Sequence, residues 1–175
     1  MVESTNETAK QPQYLDAEHG TVIVADSQSK GKGRYGKSFY SPPGGIYMSV
    51  LLKRERLSLA MLDSENPEFI TLYVARRVCE AITELTGKLP KVKPVNDILL
   101  SQGKICGILT ESVGEQVIVG IGINFTANEH YAGLFEPGET PNITKEQLIE
   151  EVANRIVNGI VNGIVNGIAK GTDAV

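Results

Sequence analysis

Tryptophan is missing from this sequence altogether, and cysteine and histidine are represented by two residues each. Cys79 and Cys106 both stand inside apolar patterns. That excludes a disulfide-dense scaffold and fits core positions in a reduced compartment. His19 and His130 stand in polar loop sequence without metal-ligand spacing, which argues against a zinc site and predicts surface side chains. No charged-then-apolar leader opens the chain, and no apolar run approaches the roughly 18 residues of a membrane span. A cytoplasmic protein without a membrane partner is therefore expected. Positive charge is also in short supply: 17 Lys and Arg stand against 21 Asp and Glu, a net charge of −4 that argues against a nucleic-acid binder.

What is present is ordinary for a globular chain. With 175 residues, 41% hydrophobic and 22% charged, one domain can bury a proper core and two cannot do so comfortably. Residues 1–170 are read as that single domain, with 171–175 as a tail. Ser4 or Thr5 can cap a short helix that Pro12 stops. Gly20 to Ala25 is a β-branched run read as a buried strand, and Gly45 to Leu52 is a second strand with Ile46, Met48, Val50 and Leu52 on one face. Asn66-Pro67-Glu68 opens a helix whose apolar stripe is Ile70, Val74, Val78, Ile82 and Leu85, with Gly87 as its stop.

Four β-like runs follow: Val92 to Val95, Ile98 to Leu100, Ile105 to Leu109 and Val117 to Ile123. Their tight spacing predicts hairpins. The fold class is α+β, a mixed, largely antiparallel sheet flanked by helices laid on one side. Thr144 and Gln147 form a capping box for a last helix, which runs into a repeated Ile-Val-Asn-Gly unit from Ile156 to Gly167. Each glycine there costs a helix about 1 kcal/mol against alanine, so the repeat predicts fraying and carries no chemistry.

The chemistry concentrates between Asp26 and Leu52. Gly31, Gly33 and Gly36 alternate with Lys30, Lys32, Arg34 and Lys37, and the loop runs into Ser41-Pro42. Glycines let main-chain N–H groups turn towards a ligand while the cations neutralise phosphate or carboxylate charge. This is an anion clamp on a mobile backbone, set locally into an acidic chain.

Five segments in order then form a set: Glu3-Ser4-Thr5-Asn6, the glycine-basic loop, Asn96-Asp97, Gly103 to Glu111, and Gly120-Ile-Gly122-Ile-Asn124. Together they resemble the catalytic domain of biotin protein ligases, over roughly Glu3 to Asn124. The resemblance implies a fold related to class II aminoacyl-tRNA synthetases and lipoate ligases. It also implies a reaction in which biotin and ATP give biotinyl-5′-AMP and pyrophosphate, with Mg²⁺, before biotin passes to a lysine of a biotin carboxyl carrier protein. Arg34 and Lys104 match the family's catalytic cations. The biotin side corresponds to Ser4, Thr5, Asn6, Gln28, Gly31, Lys32, Gly33, Arg34, Lys104, Gly107 and Ile108. The ATP side corresponds to Arg34, Lys37, Phe39, Asn96, Asp97, Lys104 and Asn124, with Asn96 and Asp97 as the metal-facing oxygens.

The chain also departs from the family pattern. Lysines stand at 32 and 37 where arginine is usual, and the family's lysine-tryptophan-proline-asparagine-aspartate motif reads Lys93-Pro94-Val95-Asn96-Asp97. A lysine is a point charge without the bidentate fork of arginine. No N-terminal DNA-binding domain and no C-terminal SH3-like barrel is recognisable. Two other readings stay open: a non-catalytic paralogue that binds biotin, and a lipoate or acyl transferase on the same fold. Two-fold association through a sheet edge is compatible with the resemblance.

Overall fold

The computed structural model describes residues 1–57 and 68–170, with side chains as far as residue 160. Six strands form one sheet: β1 (Thr21–Ala25), β2 (Ile46–Lys53), β3 (Lys91–Lys93), β4 (Asp97–Leu100), β5 (Gly103–Val113) and β6 (Gln116–Ile123). Their order is β1-β2-β6-β5-β4-β3, and every neighbouring pair is antiparallel. Among the described residues three α-helices accompany them: α1 (Thr5–Ala9), α2 (Phe69–Thr86) and α3 (Lys145–Lys170).

The alternation along β2 sorts its side chains as the sequence predicts. Ile46, Met48, Val50 and Leu52 join a large core with Ile70, Val74, Val78 and Ile82 of α2 and Leu148, Val152, Ile156 and Ile160 of α3. Full burial of each such side chain contributes about 1.5–3 kcal/mol, so this face holds α2 and α3 on the sheet. Ile156 and Ile160 are the leading residues of successive Ile-Val-Asn-Gly units, and both are fully buried. The repeat thus continues the apolar stripe of α3 with its four-residue period. Helix α3 runs through the whole repeat to Lys170, and the part of the expected fraying beyond it, towards Val175, lies outside the described residues.

Helix ends follow local chemistry. Gly87 takes φ 72° and its N–H donates to the Thr83 carbonyl at 2.9 Å, closing α2 in the left-handed conformation that glycine adopts without penalty. At the start of α3 the Thr144 N–H donates to Gln147 Oε1 at 2.8 Å and the Gln147 N–H donates to Thr144 Oγ1 at 3.2 Å, the reciprocal pair of a capping box. Asn66 and Pro67, expected to open α2, lie outside the described residues, where Glu68 immediately precedes the helix.

Several expectations are corrected. Helices lie on both faces of the sheet: α1 covers the face opposite α2 and α3, where Ala9 packs with Ile23, Leu51 and Ile118. Five residues are too few for periodicity to betray that face. The Ser4 side chain does not cap α1; the Thr5 N–H is taken instead by Gln28 Oε1 at 2.8 Å, a partner 23 residues away. Strand β1 is an edge strand with Val24 exposed, not a buried one, because among the described residues only β2 pairs with it. The run expected from Val92 to Val95 forms pairs at Lys91–Lys93 instead. His19 is half-buried, its Nδ1 accepting the Lys53 N–H at 3.1 Å, while His130 is exposed as expected. Cys106 is buried and Cys79 half-buried, both as free thiols, and burial pushes the Cys79 thiol up to about 11.

Candidate active site

Residues directly opposite one another in an antiparallel sheet share a face. On the face carrying α1, one such row is Asp97, Gly107, Gly122 and Tyr47, and the next is Leu109, Gly120 and Ser49. Three glycines and a serine in the middle of a sheet leave a depression where side chains would otherwise stand. Two side chains fill its edges. A Cβ on Gly120 would lie 2.4 Å from Asn6 Oδ1, and one on Gly122 would lie 2.5 Å from the Phe39 ring. Phe39 rests edge-on to Tyr47, with ring centroids 6.5 Å apart.

Lys104 reaches this face through an irregularity. Cys106 pairs with Ile98 and Lys104 with Leu99, so Ile105 is an extra residue in β5. Ile105 and Cys106 both enter the core, which puts Lys104 and Gly107 on the same side although they are three apart. The lysine stem then lies over Gly107, where an added Cβ would meet Nζ at 3.2 Å.

The glycine-basic loop closes over the depression as a hairpin. The Phe39 N–H donates to the Gly31 carbonyl at 2.8 Å and the Gly33 N–H to the Lys37 carbonyl at 2.7 Å. Its tip, Arg34–Gly36, is a single 3-10 turn with Tyr35 at φ 57°. Gln28 ties the loop to α1, since its Nε2 donates to Ser41 Oγ at 2.9 Å while its Oε1 takes the Thr5 N–H.

Between loop, α1 and sheet lies a cavity of about 280 Å³. The structure brings to it Ser4, Thr5, Asn6, Gln28, Lys32, Gly33, Arg34, Lys37, Phe39, Asn96, Asp97, Lys104, Gly107 and Ile108, all singled out in the sequence. Two predicted residues are elsewhere. Gly31 is buried in the hairpin, where an added Cβ would come within 2.3 Å of the Phe39 carbonyl and 2.5 Å of Ser41 Oγ. Asn124 donates its amide to the Ala132 carbonyl at 2.9 Å and the Lys104 carbonyl at 3.4 Å, holding the chain behind Lys104.

Three cations at the cavity each meet a carboxylate. Lys104 Nζ lies 2.7 Å from Asp97, Arg34 Nη2 lies 2.6 Å from Glu68, and Lys32 Nζ lies 2.8 Å from Glu7. Hydrogen bonds from Lys10 and then Lys32 hold the Glu7 carboxyl below its ordinary range. Beneath the cavity, Ser49 Oγ donates to Asn6 Oδ1 at 2.6 Å, Asn6 Nδ2 donates to Glu111 at 2.9 Å, and Glu111 accepts from Lys10 at 2.8 Å. Asn6 spends its amide on this network, so it fixes α1 against Gly120.

Asn96 Nδ2 donates to the Ile108 carbonyl at 3.2 Å, which turns its Oδ1 towards Arg34 Nη1 at 3.4 Å. Beside the Asp97 carboxylate this gives two oxygen donors. Among the described residues no cluster of three His, Cys, Asp or Glu could hold a metal by itself. Such a pair fits Mg²⁺ carried in on phosphates and largely hydrated, the usual mode for that ion.

Sequence reasoning missed Glu68, Glu7, Tyr35 and Ser38 as contributors, and it named Gly120 and Gly122 in a motif without giving them a place in the site. Glycines two apart in a strand were the available signal for the last two, because period two puts both on one face. Nothing local marks Glu68, which meets Arg34 across 34 residues.

Residues 1–128 match the biotin/lipoate A/B protein ligase family, and the chain belongs to that family. It is 35% identical over 130 residues to a bifunctional ligase/repressor BirA of Bacillus subtilis, an alignment covering 71% of this chain and 38% of that protein. It is 34% identical over 128 residues to a biotin–[acetyl-CoA-carboxylase] ligase of Paracoccus denitrificans, covering 70% of this chain and 51% of that protein. The chain thus spans about two fifths to one half of the length of these relatives. Among solved structures it resembles a biotin protein ligase from Aquifex aeolicus in complex with biotin and ATP, with a TM-score of 0.72 and 30% identity over 91% of this chain and 67% of that one. A biotin acetyl coenzyme A carboxylase synthetase from Helicobacter pylori shares the fold, with a TM-score of 0.74, 21% identity and coverage of 93% of this chain and 78% of that one.

Proposed function

We propose that this chain joins biotin to ATP as biotinyl-5′-AMP and passes the biotinyl group to a lysine of a biotin carboxyl carrier protein. The observation that carries the reading is the convergence of Arg34 and Lys104, from a loop and a bulged strand, on one cavity floored by glycine. Adenylation brings a carboxylate against a phosphate, two anions that repel, so cations aimed at the reacting oxygens lower the barrier. Lys104 would take the biotin carboxylate in exchange for Asp97, and Arg34 would hold the α-phosphate. The carboxylate oxygen forms a bond to that phosphorus as the bond to pyrophosphate breaks. The acceptor amine then attacks the acyl carbonyl and AMP leaves. Held at Asp97 and Asn96, Mg²⁺ would supply charge neutralisation for the leaving pyrophosphate.

Phe39, matched to the ATP side in the sequence, lies over Gly107 and Gly122, and this floor suits the apolar thiolane ring and side chain of biotin, while Ser4 and Thr5 at the α1 end offer polar groups to its ureido ring. Residues 1–170 are proposed as one catalytic domain. A cytoplasmic location and pairing of two copies through a sheet edge are further parts of the proposal, the second testable by sedimentation. Among the described residues no helix is long and apolar enough to cross a membrane.

The test is ATP–pyrophosphate exchange with Mg²⁺, with and without biotin. Biotin-dependent exchange is the expected result. Biotin binding without exchange would replace the proposal by a non-catalytic binder, and preferential binding of lipoate in calorimetry would move it to the lipoate branch of the family.

A further inference from the structure

Arg34 is gripped unequally at its two ends. Nη2 lies 2.6 Å from Glu68 Oε1 and 2.7 Å from the Tyr35 hydroxyl, whereas Nη1 has Asn96 Oδ1 at 3.4 Å. The guanidinium also lies 4.9 Å from the centre of the Tyr35 ring. A guanidinium is planar, so fixing one nitrogen with two strong partners orients the rest of the fork. The weakly held nitrogen is the one beside Asn96 at the cavity, where an incoming oxygen displaces little.

Glu68 comes from outside the loop. It stands at the start of α2, which the core fastens to the sheet, and its carboxylate makes no cap to its own helix. The glycine-rich loop therefore has an ion-pair tether to a rigid element at the arginine itself. Side-chain exposures of 25% for Arg34 and 35% for Glu68 leave the pair partly shielded from water, where screening weakens it less than at a fully exposed site.

We propose that Glu68 is a positioning residue for adenylation. It anchors Nη2 of Arg34 throughout the reaction so that Nη1 faces the phosphate, and Tyr35 completes the anchor. This rests on the adenylation reading above. It makes Glu68 part of the machinery through Arg34, without contact to substrate.

The experiment uses Glu68→Gln, alone and combined with Arg34→Ala, in the full chain. In biotin-dependent ATP–pyrophosphate exchange, Glu68→Gln is expected to lower kcat about 10- to 100-fold, the scale of a misplaced catalytic group, with KM for biotin unchanged. In the Arg34→Ala background the same change is expected to cause no further loss. A lower KM for ATP at unchanged kcat would overturn the proposal, since Glu68 would then be competing with phosphate. Equal losses with and without Arg34 would overturn it as well. Amide hydrogen exchange across residues 31–39 gives a reading independent of activity. Faster exchange in Glu68→Gln supports the tether, and unchanged protection overturns it. If the unaltered protein performs no exchange reaction, the adenylation reading fails, while the loop measurement still decides whether Glu68 holds Arg34.

Discussion

Asp97 and Lys104 face each other across β4 and β5 with 2.7 Å between carboxylate and ammonium. Register alone would pair Asp97 with Gly107, and it is the glycine's missing side chain that lets the lysine lean over to reach it. The pair stores Lys104 at the cavity in a partly exposed position, ready to exchange one carboxylate for another.

Lys104→Ala is accordingly expected to abolish most adenylation while sparing the fold. Loss of one positioned cation from a transition state typically costs 10²–10³-fold in rate, or roughly 3–4 kcal/mol. Exchange kinetics should show that loss with a thermal midpoint close to that of the unaltered protein, since the ammonium is substantially exposed. Arg34→Ala should behave in the same way.

Gly122→Ala places a methyl group 2.5 Å from the Phe39 ring, closer than carbon atoms pack. The ring must tilt off the sheet, and overpacking of this kind costs about 1–3 kcal/mol. Weaker biotin binding in calorimetry is expected, with partial recovery when Phe39→Leu is added. Undiminished affinity in Gly122→Ala would show that the ring does not shape the pocket.

Within the Ile-Val-Asn-Gly repeat, Gly159 packs against Tyr73 of α2: a Cβ there would lie 2.1 Å from the tyrosine hydroxyl. Alanine should gain about 1 kcal/mol of helix propensity at an open helix position. Here the clash is expected to reverse that gain, so Gly159→Ala lowers the melting temperature. Tyr73→Phe removes the clashing oxygen, and Gly159→Ala in that background should be less harmful, as a double-mutant cycle would measure.

His19 supplies a pH dependence. Burial, then the cations Arg56 and Lys53, hold its imidazole below the ordinary value of 6.5, and its neutral Nδ1 accepts the Lys53 N–H. The unfolded chain therefore binds a proton more readily than the folded one. Stability from neutral His19 is fully present above about pH 6.5 and is lost as pH falls from there through the lower folded value. Unfolding titrations of the unaltered protein and of His19→Gln should converge in slope once this window is passed, with the steeper fall belonging to the unaltered protein.

The sequence by itself determined the elements whose cause is local. Alternation along β2, the four-residue stripe of α2, Gly87 as a left-handed stop and the Thr144–Gln147 box each depend on neighbours a few residues away, and each forms as its pattern dictates. The ordered motifs determined most of the cavity for the same reason, since loop, strand end and α1 each carry their polar groups in one short stretch. The tertiary structure decided what depends on distant partners. It put α1 on the far face, inserted Ile105 so that Lys104 turns to the cavity, removed Asn124 to a supporting role and matched each of three cations with its own carboxylate. Sheet register and ion pairing join residues tens of positions apart. Their free energy is set by which side chains the closed core brings together, and no window of sequence contains both partners.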